Sequence, residues 1–168
     1  MGLASNIKTV KASGAIYIRT DGSIDPPTAP ISTVNNVTYT FTNNIYAPIV
    51  VERNNIILEG ANYSLQGPGF VYPYPNGITV TGGSNVTIRS MEIKLFSDGI
   101  HIVGSSNNII FRNNISNNGA GIFLRDSSNN SIYGNNITLA TYGIVLKDCS
   151  SNTLSGNNVT NNEHAGIY

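Results

Sequence analysis

From Gly77 onward the chain returns to one pattern every 22 residues, and no other feature of the sequence restricts its fold as strongly. The blocks run from 77 to 98, 99 to 120, 121 to 142 and 143 to 165, each opening on Gly-Ile, and a fifth begins at Gly166. Repeats of this size cannot bury an apolar face alone and do so by stacking on their neighbours, which marks a solenoid. Within a block the apolar residues alternate, as in Ile100 and Ile102 or Ile122 and Leu124, and period two means strands. The runs are short, β-branched and broken by Gly, Ser, Asn and Asp, so each block holds about three strands joined by tight turns. At roughly 3.3 Å per residue a block traces a perimeter of about 70 Å, suited to one coil of a three-sided cylinder whose coils lie about 4.8 Å apart.

Stacking converts each repeat position into a column. Ile78, Ile100, Ile122 and Ile144 are expected to point inward, followed by Val80, Ile102, Leu124 and Leu146. Ile88, Ile110, Ile132 and Leu154, then Ile93, Ile115, Ile137 and Val159, line the other walls. Asn113, Asn135 and Asn157 share the inner face with the last column, and Asn108, Asn130 and Asn152 align with Val86. Both sets read as internal asparagine ladders, because a buried amide left without partners costs about 1 to 3 kcal/mol. The register extends back with less regularity through Ile49, Val51, Ile56, Leu58 and Leu65, interrupted by the insertion GPGFVYPYPN at 67 to 76. Residues 1 to 48 do not match the repeat and are expected to form an N-terminal β cap on the helix of residues 49 to 168. The repeat is still running at Tyr168, which points to a solenoid truncated at that end or pairing end to end with another molecule.

The stretch GIHIVGSSNNIIFRNNISNN and its neighbours resemble the right-handed parallel β-helix repeats of NosD-like proteins, within the wider pectate-lyase-like superfamily. IYIRTDGSIDPPTAPI, followed by NIYAPIVVERNNIILEGANYSLQG, resembles the opening of archaeal surface or secreted members. The resemblance covers residues 14 to 168 and agrees with the periodicity on an all-β, single-stranded, right-handed parallel β-helix of about five coils. It carries no activity with it, since the superfamily spans lyases, hydrolases, binding proteins and surface-layer components. The copper association of the NosD name finds no clustered ligands: Cys149, His101, His164, Met91 and Met1 are scattered, and no cofactor is expected.

Composition narrows the function classes. Net charge is zero and only 11% of residues are charged, which excludes the basic face a nucleic-acid partner needs. No run reaches the 18 or more apolar residues that insert into a bilayer. Low charge with abundant Asn, Ser, Thr and Tyr fits an extracellular or cell-surface location, although MGLASNIK has no signal-peptide core. Asn-x-Ser/Thr sequons occur at Asn36, Asn62, Asn85, Asn114, Asn129, Asn136 and Asn158, with Asn114, Asn136 and Asn158 in one outward column too closely spaced for a glycan on every rung. The lone cysteine, Cys149, aligns with Ser105 and Ser127 and is expected to be a small turn residue.

Chemistry on a β-helix belongs to the outward columns. SDGIH at 97 to 101 resembles the start of a polygalacturonase motif, which implies Asp98 and His101 as candidate acid and base of a polysaccharide lyase or glycoside hydrolase, with Arg89 or Arg125 as the accompanying cation. The second carboxylate that glycoside hydrolysis requires is missing from the pattern. Asp126 and Asp148 lie in adjacent blocks where they could share a cation, but calcium takes 6 to 8 oxygens and turn-capping is the expected role. Aromatic residues supply the alternative: Phe70, Tyr72 and Tyr74 between prolines, and Phe111 and Tyr133 on neighbouring rungs, as contacts to a polysaccharide or cell-surface glycan. The expected function is a non-enzymatic structural or adhesive module that binds carbohydrate, with a carbohydrate-active enzyme and a self-assembling surface subunit as alternatives.

Overall fold

A computed structural model describes residues 14–69 and 74–168 of the chain. The first coil contains β1 (Ile16–Ile18), β2 (Ile24–Asp25), β3 (Ile31–Ser32) and β4 (Thr38–Phe41); the second, β5 (Ile49–Val51), β6 (Ile56–Glu59) and β7 (Ser64–Gln66). The third holds β8 (Ile78–Thr81), β9 (Val86–Arg89) and β10 (Glu92–Lys94), and the fourth β11 (Asp98–Val103), β12 (Ile109–Phe111) and β13 (Asn114–Ser116). The fifth holds β14 (Ala120–Arg125), β15 (Ser131–Tyr133) and β16 (Asn136–Thr138), and the sixth β17 (Tyr142–Lys147), β18 (Thr153–Ser155) and β19 (Asn158–Thr160). β20 (Ala165–Ile167) starts another.

These strands form three sheets, ordered β2-β1-β5-β8-β11-β14-β17-β20, β3-β4-β6-β9-β12-β15-β18, and β7-β10-β13-β16-β19. Coil-to-coil pairing is parallel throughout, so the chain is a β-solenoid of about six turns, one more than the repeat count predicts. The additional turn comes from the segment expected to cap the helix: β1 pairs in parallel with β5, β4 with β6, and Ile45 bridges Leu65. Its repeat is hidden by β2 and β3, which fold back antiparallel on β1 and β4.

The predicted columns are in register. Ile78, Ile100, Ile122 and Ile144 are paired rung to rung and fully buried, and the three other inward columns share one continuous core with them. The glycine opening each repeat is there for closeness: a Cβ on Gly121 would lie 2.6 Å from the carbonyl oxygen of Gly143 and 2.4 Å from Ile137 Cγ2. Only hydrogen fits between coils at that point.

Corners between sheets are made by left-handed residues. In the fourth coil these are Gly104 (φ 58) and Asn107 (φ 57) at the first corner, Arg112 (φ 53) at the second and Asn117 (φ 55) at the third. Each of the four is followed by a buried polar side chain that accepts from a backbone N–H of the coil before. At the first corner, Asn130 Oδ1 accepts from Asn108 N (2.9 Å) and Nδ2 (2.9 Å), while its own Nδ2 donates to Ser105 O (3.3 Å) and Asn152 Oδ1 (3.0 Å). Asn135 repeats the arrangement at the second corner, accepting from Asn113 N (3.0 Å) and Nδ2 (3.1 Å) and donating to Ile110 O and Asn157 Oδ1 (both 3.0 Å). Both expected ladders therefore exist. Cys149 stands where Ser105 and Ser127 stand, and all three donate to the carbonyl two residues earlier.

The third corner departs from this regularity. Its inward column reads Phe96, Asn118, Ala140 and Asn162. Asn118 Oδ1 accepts from Phe96 N (2.9 Å) and Asn162 Oδ1 from Ala140 N (3.0 Å), but the amides are two coils apart and cannot reach each other. Pairing also changes step here: Tyr142 faces Ala165 and Ile144 faces Ile167, an offset of 23 where every earlier repeat uses 22. The insertion at 67 to 76 enters at the same corner, between β7 and β8.

Candidate functional site

The third corner also carries the chemistry. In β11, Gly99 and Ile100 both turn inward, which leaves Asp98 and His101 outside although they are three residues apart. Asp98 Oδ2 lies 2.6 Å from His101 Nδ1. The imidazole lies flat against Phe123 on the next rung, with centroids 5.1 Å apart and planes 4° apart, and Val145 follows beneath, 7% exposed. Both faces of Phe123 are thus covered. The final leg of the insertion runs alongside: Ser97 N–H donates to Pro75 O (2.9 Å), Asp98 N–H to Asn76 Oδ1 (3.3 Å) and Gly77 N–H to Asp98 O (2.8 Å). This sets Tyr74, half exposed, on the loop flanking the Asp98 and His101 pair. Phe70 and Tyr72 lie outside the described residues.

Along the corner Asp98, Ala120, Tyr142 and Ala165 occupy successive rungs. Ala120 is small and buried, so the wall dips between the Asp98 rung and the Tyr142 rung. The Tyr142 ring meets His164 edge on (5.5 Å, 62°) and Tyr168 at a tilt (5.8 Å, 55°), and Thr141 Oγ1 donates to Glu163 Oε2 (3.4 Å). Tilted rings leave parts of their faces to solvent, unlike parallel ones. Tyr142 and Glu163 were not singled out from the sequence, and His164 was noted there only among the scattered candidate copper ligands. The available signal was the fourth block, which is one residue longer than the others.

Phe111 and Tyr133 lie on a different wall, the outer face of the second sheet, and stack on each other at 5.0 Å and 14°. Arg89 and Arg112 bring guanidinium carbons to 5.7 and 5.8 Å from the Phe111 centroid. Rings stacked along the helix axis present edges to solvent, so Phe111 offers a sugar no open face. Tyr133, 38% exposed, keeps the face toward Ser155, which is too short to cover it. Arg89 Nε sits 2.6 Å from Glu59 Oε2 on this same wall, and so does not join Asp98 and His101. Arg125 is on the first sheet with them but turns to Asp126, its Nε 3.5 Å from Oδ2.

Asp126 (φ 50) and Asp148 (φ 53) continue a column of left-handed residues begun by Gly82 (φ 64) and Gly104 (φ 58). Aspartate tolerates that conformation better than most side chains, and the backbone accounts for both residues. Among the described residues no group of three or more His, Cys, Asp or Glu side chains could hold a metal ion. The strand sequons are tied together: Asn136 Nδ2 donates to Asn114 Oδ1 (2.9 Å) and Asn158 Nδ2 to Asn136 Oδ1 (2.7 Å).

A hydrogen-bonded three-walled cylinder with chemistry confined to side chains on its outside defines a parallel β-helix protein. The chain belongs to the NosD family, described as periplasmic copper-binding protein, whose model matches residues 5–168. No curated protein and no solved structure matches it. The family description agrees with a location outside the cytoplasm. Copper is another matter, because the described thiol, thioether and imidazole groups of this chain do not converge on one point.

Proposed function

We propose that this chain is a non-enzymatic β-helix module of the cell envelope, structural or adhesive in role, that contacts carbohydrate along its third corner. The observation carrying this reading is the tilted Tyr142 ring with His164 beside it, at the corner that takes both the 67 to 76 insertion and the extra residue of the sixth coil. A sugar presents an apolar C–H face and a polar rim. Tyr142 supplies a ring for the first, and Asp98, Asn76 and Glu163 supply acceptors for the second, on a wall already rigid before binding. Tyr133 provides a second, separate ring face. Soluble neutral, amino and uronic oligosaccharides titrated against the chain should shift Tyr142 signals in NMR spectra, and Tyr142→Ala should weaken binding about 3- to 10-fold, the worth of one aromatic contact. Absence of binding by every class, or binding indifferent to both Tyr142→Ala and Tyr133→Ala, defeats the proposal.

The 2.6 Å contact of Asp98 with His101 favours a second reading, a polysaccharide lyase or hydrolase. Against it, paired-carboxylate hydrolysis separates the acids by about 5 to 9.5 Å. Along this corner the next carboxylate is Glu163, beside the rung three above Asp98, or about 14 Å away at the usual coil spacing. Turnover of a polyuronide, abolished by Asp98→Ala, would establish the enzyme instead.

A further inference from the structure

We infer that this chain holds no copper of its own, and that the family's β-helix is kept here without a copper site. A copper ion shared by two or more side chains needs each donor atom about 2 Å away, hence donors within roughly 4 Å of one another. Whole-chain candidates are five: Met1, Met91, His101, Cys149 and His164. Met1 lies outside the described residues, and the fold keeps the other four apart. Met91 is inside the cylinder, 3% exposed at the second corner of the third coil, where the Asn113 ladder begins. His101 is on the outer face of the first sheet in the fourth coil, with the wall of the cylinder between it and Met91.

Cys149 and His164 belong to the sixth coil but to opposite ends of β17. Cys149 follows that strand, with Sγ donating to Lys147 O at 3.2 Å. His164 flanks the start of the strand, against Tyr142, so the six residues of β17 separate the two by about 20 Å. His101 and His164 are closest in kind, yet the Asp98 rung and the Ala165 rung are three coils apart, about 14 Å. The nearest groups add little: His101 Nδ1 is taken by Asp98, and that carboxylate is a hard ligand ill suited to Cu(I). The stretch that matches the family, residues 5–168, includes the stacking repeat, and none of the described repeat columns is built from copper ligands.

The test uses the full chain with copper alone. Cu(I) is titrated in competition with a chromophoric chelator, Cu(II) is followed by calorimetry, and thermal unfolding is recorded with and without excess metal. The expected result is no withdrawal of Cu(I) from the chelator and an unmoved melting temperature, since an ion that does not bind the folded state cannot stabilise it. Met1→Leu, Met91→Leu, His101→Ala, Cys149→Ser and His164→Ala serve as the variant set. Weak binding abolished by a single surface substitution is one-ligand coordination and leaves the inference standing. One equivalent bound tightly, lost on two different substitutions and accompanied by a raised melting temperature, overturns it.

Discussion

The first and third corners of this β-helix solve the same problem with different completeness. Each must turn the chain between sheets through left-handed residues, and each leaves a backbone N–H that no strand can satisfy. At the first corner the answer is uniform, with Asn108, Asn130 and Asn152 linked amide to amide. At the third, Phe96 and Ala140 alternate with Asn118 and Asn162, and Asn162 Nδ2 is buried with no hydrogen-bond partner. Where its ladder runs, from the third coil to the sixth, the first corner keeps one length; before the ladder, in the first coil, it carries β2 and β3. The interrupted one admits the insertion at 67 to 76 and the extra residue of the sixth coil, and it is there that Asp98, His101, Tyr142 and Glu163 come out on the surface. Tolerance of irregularity and room for chemistry coincide because both require positions not already committed to stacking.

The contrast is sharpest in the cost of removing one amide. Asn135→Ala, in the equally saturated ladder of the second corner, strands the N–H of Asn113, one of its two amide hydrogens, and the carbonyl of Ile110. At about 1 to 3 kcal/mol for each buried unsatisfied group, and some relief by water, a loss of about 3 kcal/mol is expected from the urea midpoint. Asn118→Ala strands only Phe96 N and Ile93 O and should lose about half as much. Equal losses would mean that saturated and interrupted corners are energetically alike and would break the comparison.

A gain should also be available at the irregular corner. Ala140→Asn would place an amide between Asn118 and Asn162 and join them, raising stability by about 1 kcal/mol if the space accepts it. The same measurement giving a loss would show that the third corner is filled by packing rather than merely lacking a rung.

The smallest effect concerns the first coil, where Tyr39 is fully buried and donates to Gly22 O at 2.8 Å. Burial raises its phenol above the ordinary value, so the folded state keeps the proton longer than the unfolded chain does. That contribution is whole below about pH 10, where the unfolded phenol titrates, and drains away as pH rises toward the folded value. Unfolding midpoints followed from pH 8 to 11 should therefore fall at the alkaline end, less steeply in Tyr39→Phe.

Much of this architecture was legible because a solenoid writes its tertiary contacts into its period. Aligning Ile100 with Ile122 identifies a pair that is in fact hydrogen-bonded rung to rung, and aligning Asn113 with Asn135 identifies a real ladder. The first coil was not legible, since β2 and β3 interrupt its alternation and only parallel pairing with β5 and β6 reveals it as a turn of the helix. Of the site, Asp98 with His101 could be read from local spacing, and Tyr74 from its prolines, but not their adjacency. That adjacency runs through Pro75 and Asn76 bonding to the rung 22 residues later, across a loop with no repeat to align.

Sequence alone determined the coil, its inward columns and two asparagine ladders, because stacking at a fixed period makes position along the chain equivalent to position in space. Tertiary structure alone decided which outward rings keep a free face, that Arg89 turns to Glu59 on another wall, and that the chain's imidazoles, thiol and buried thioether stay apart. Those outcomes depend on which side of a closed cylinder a residue occupies and on what its neighbour one rung away covers. A period states neither.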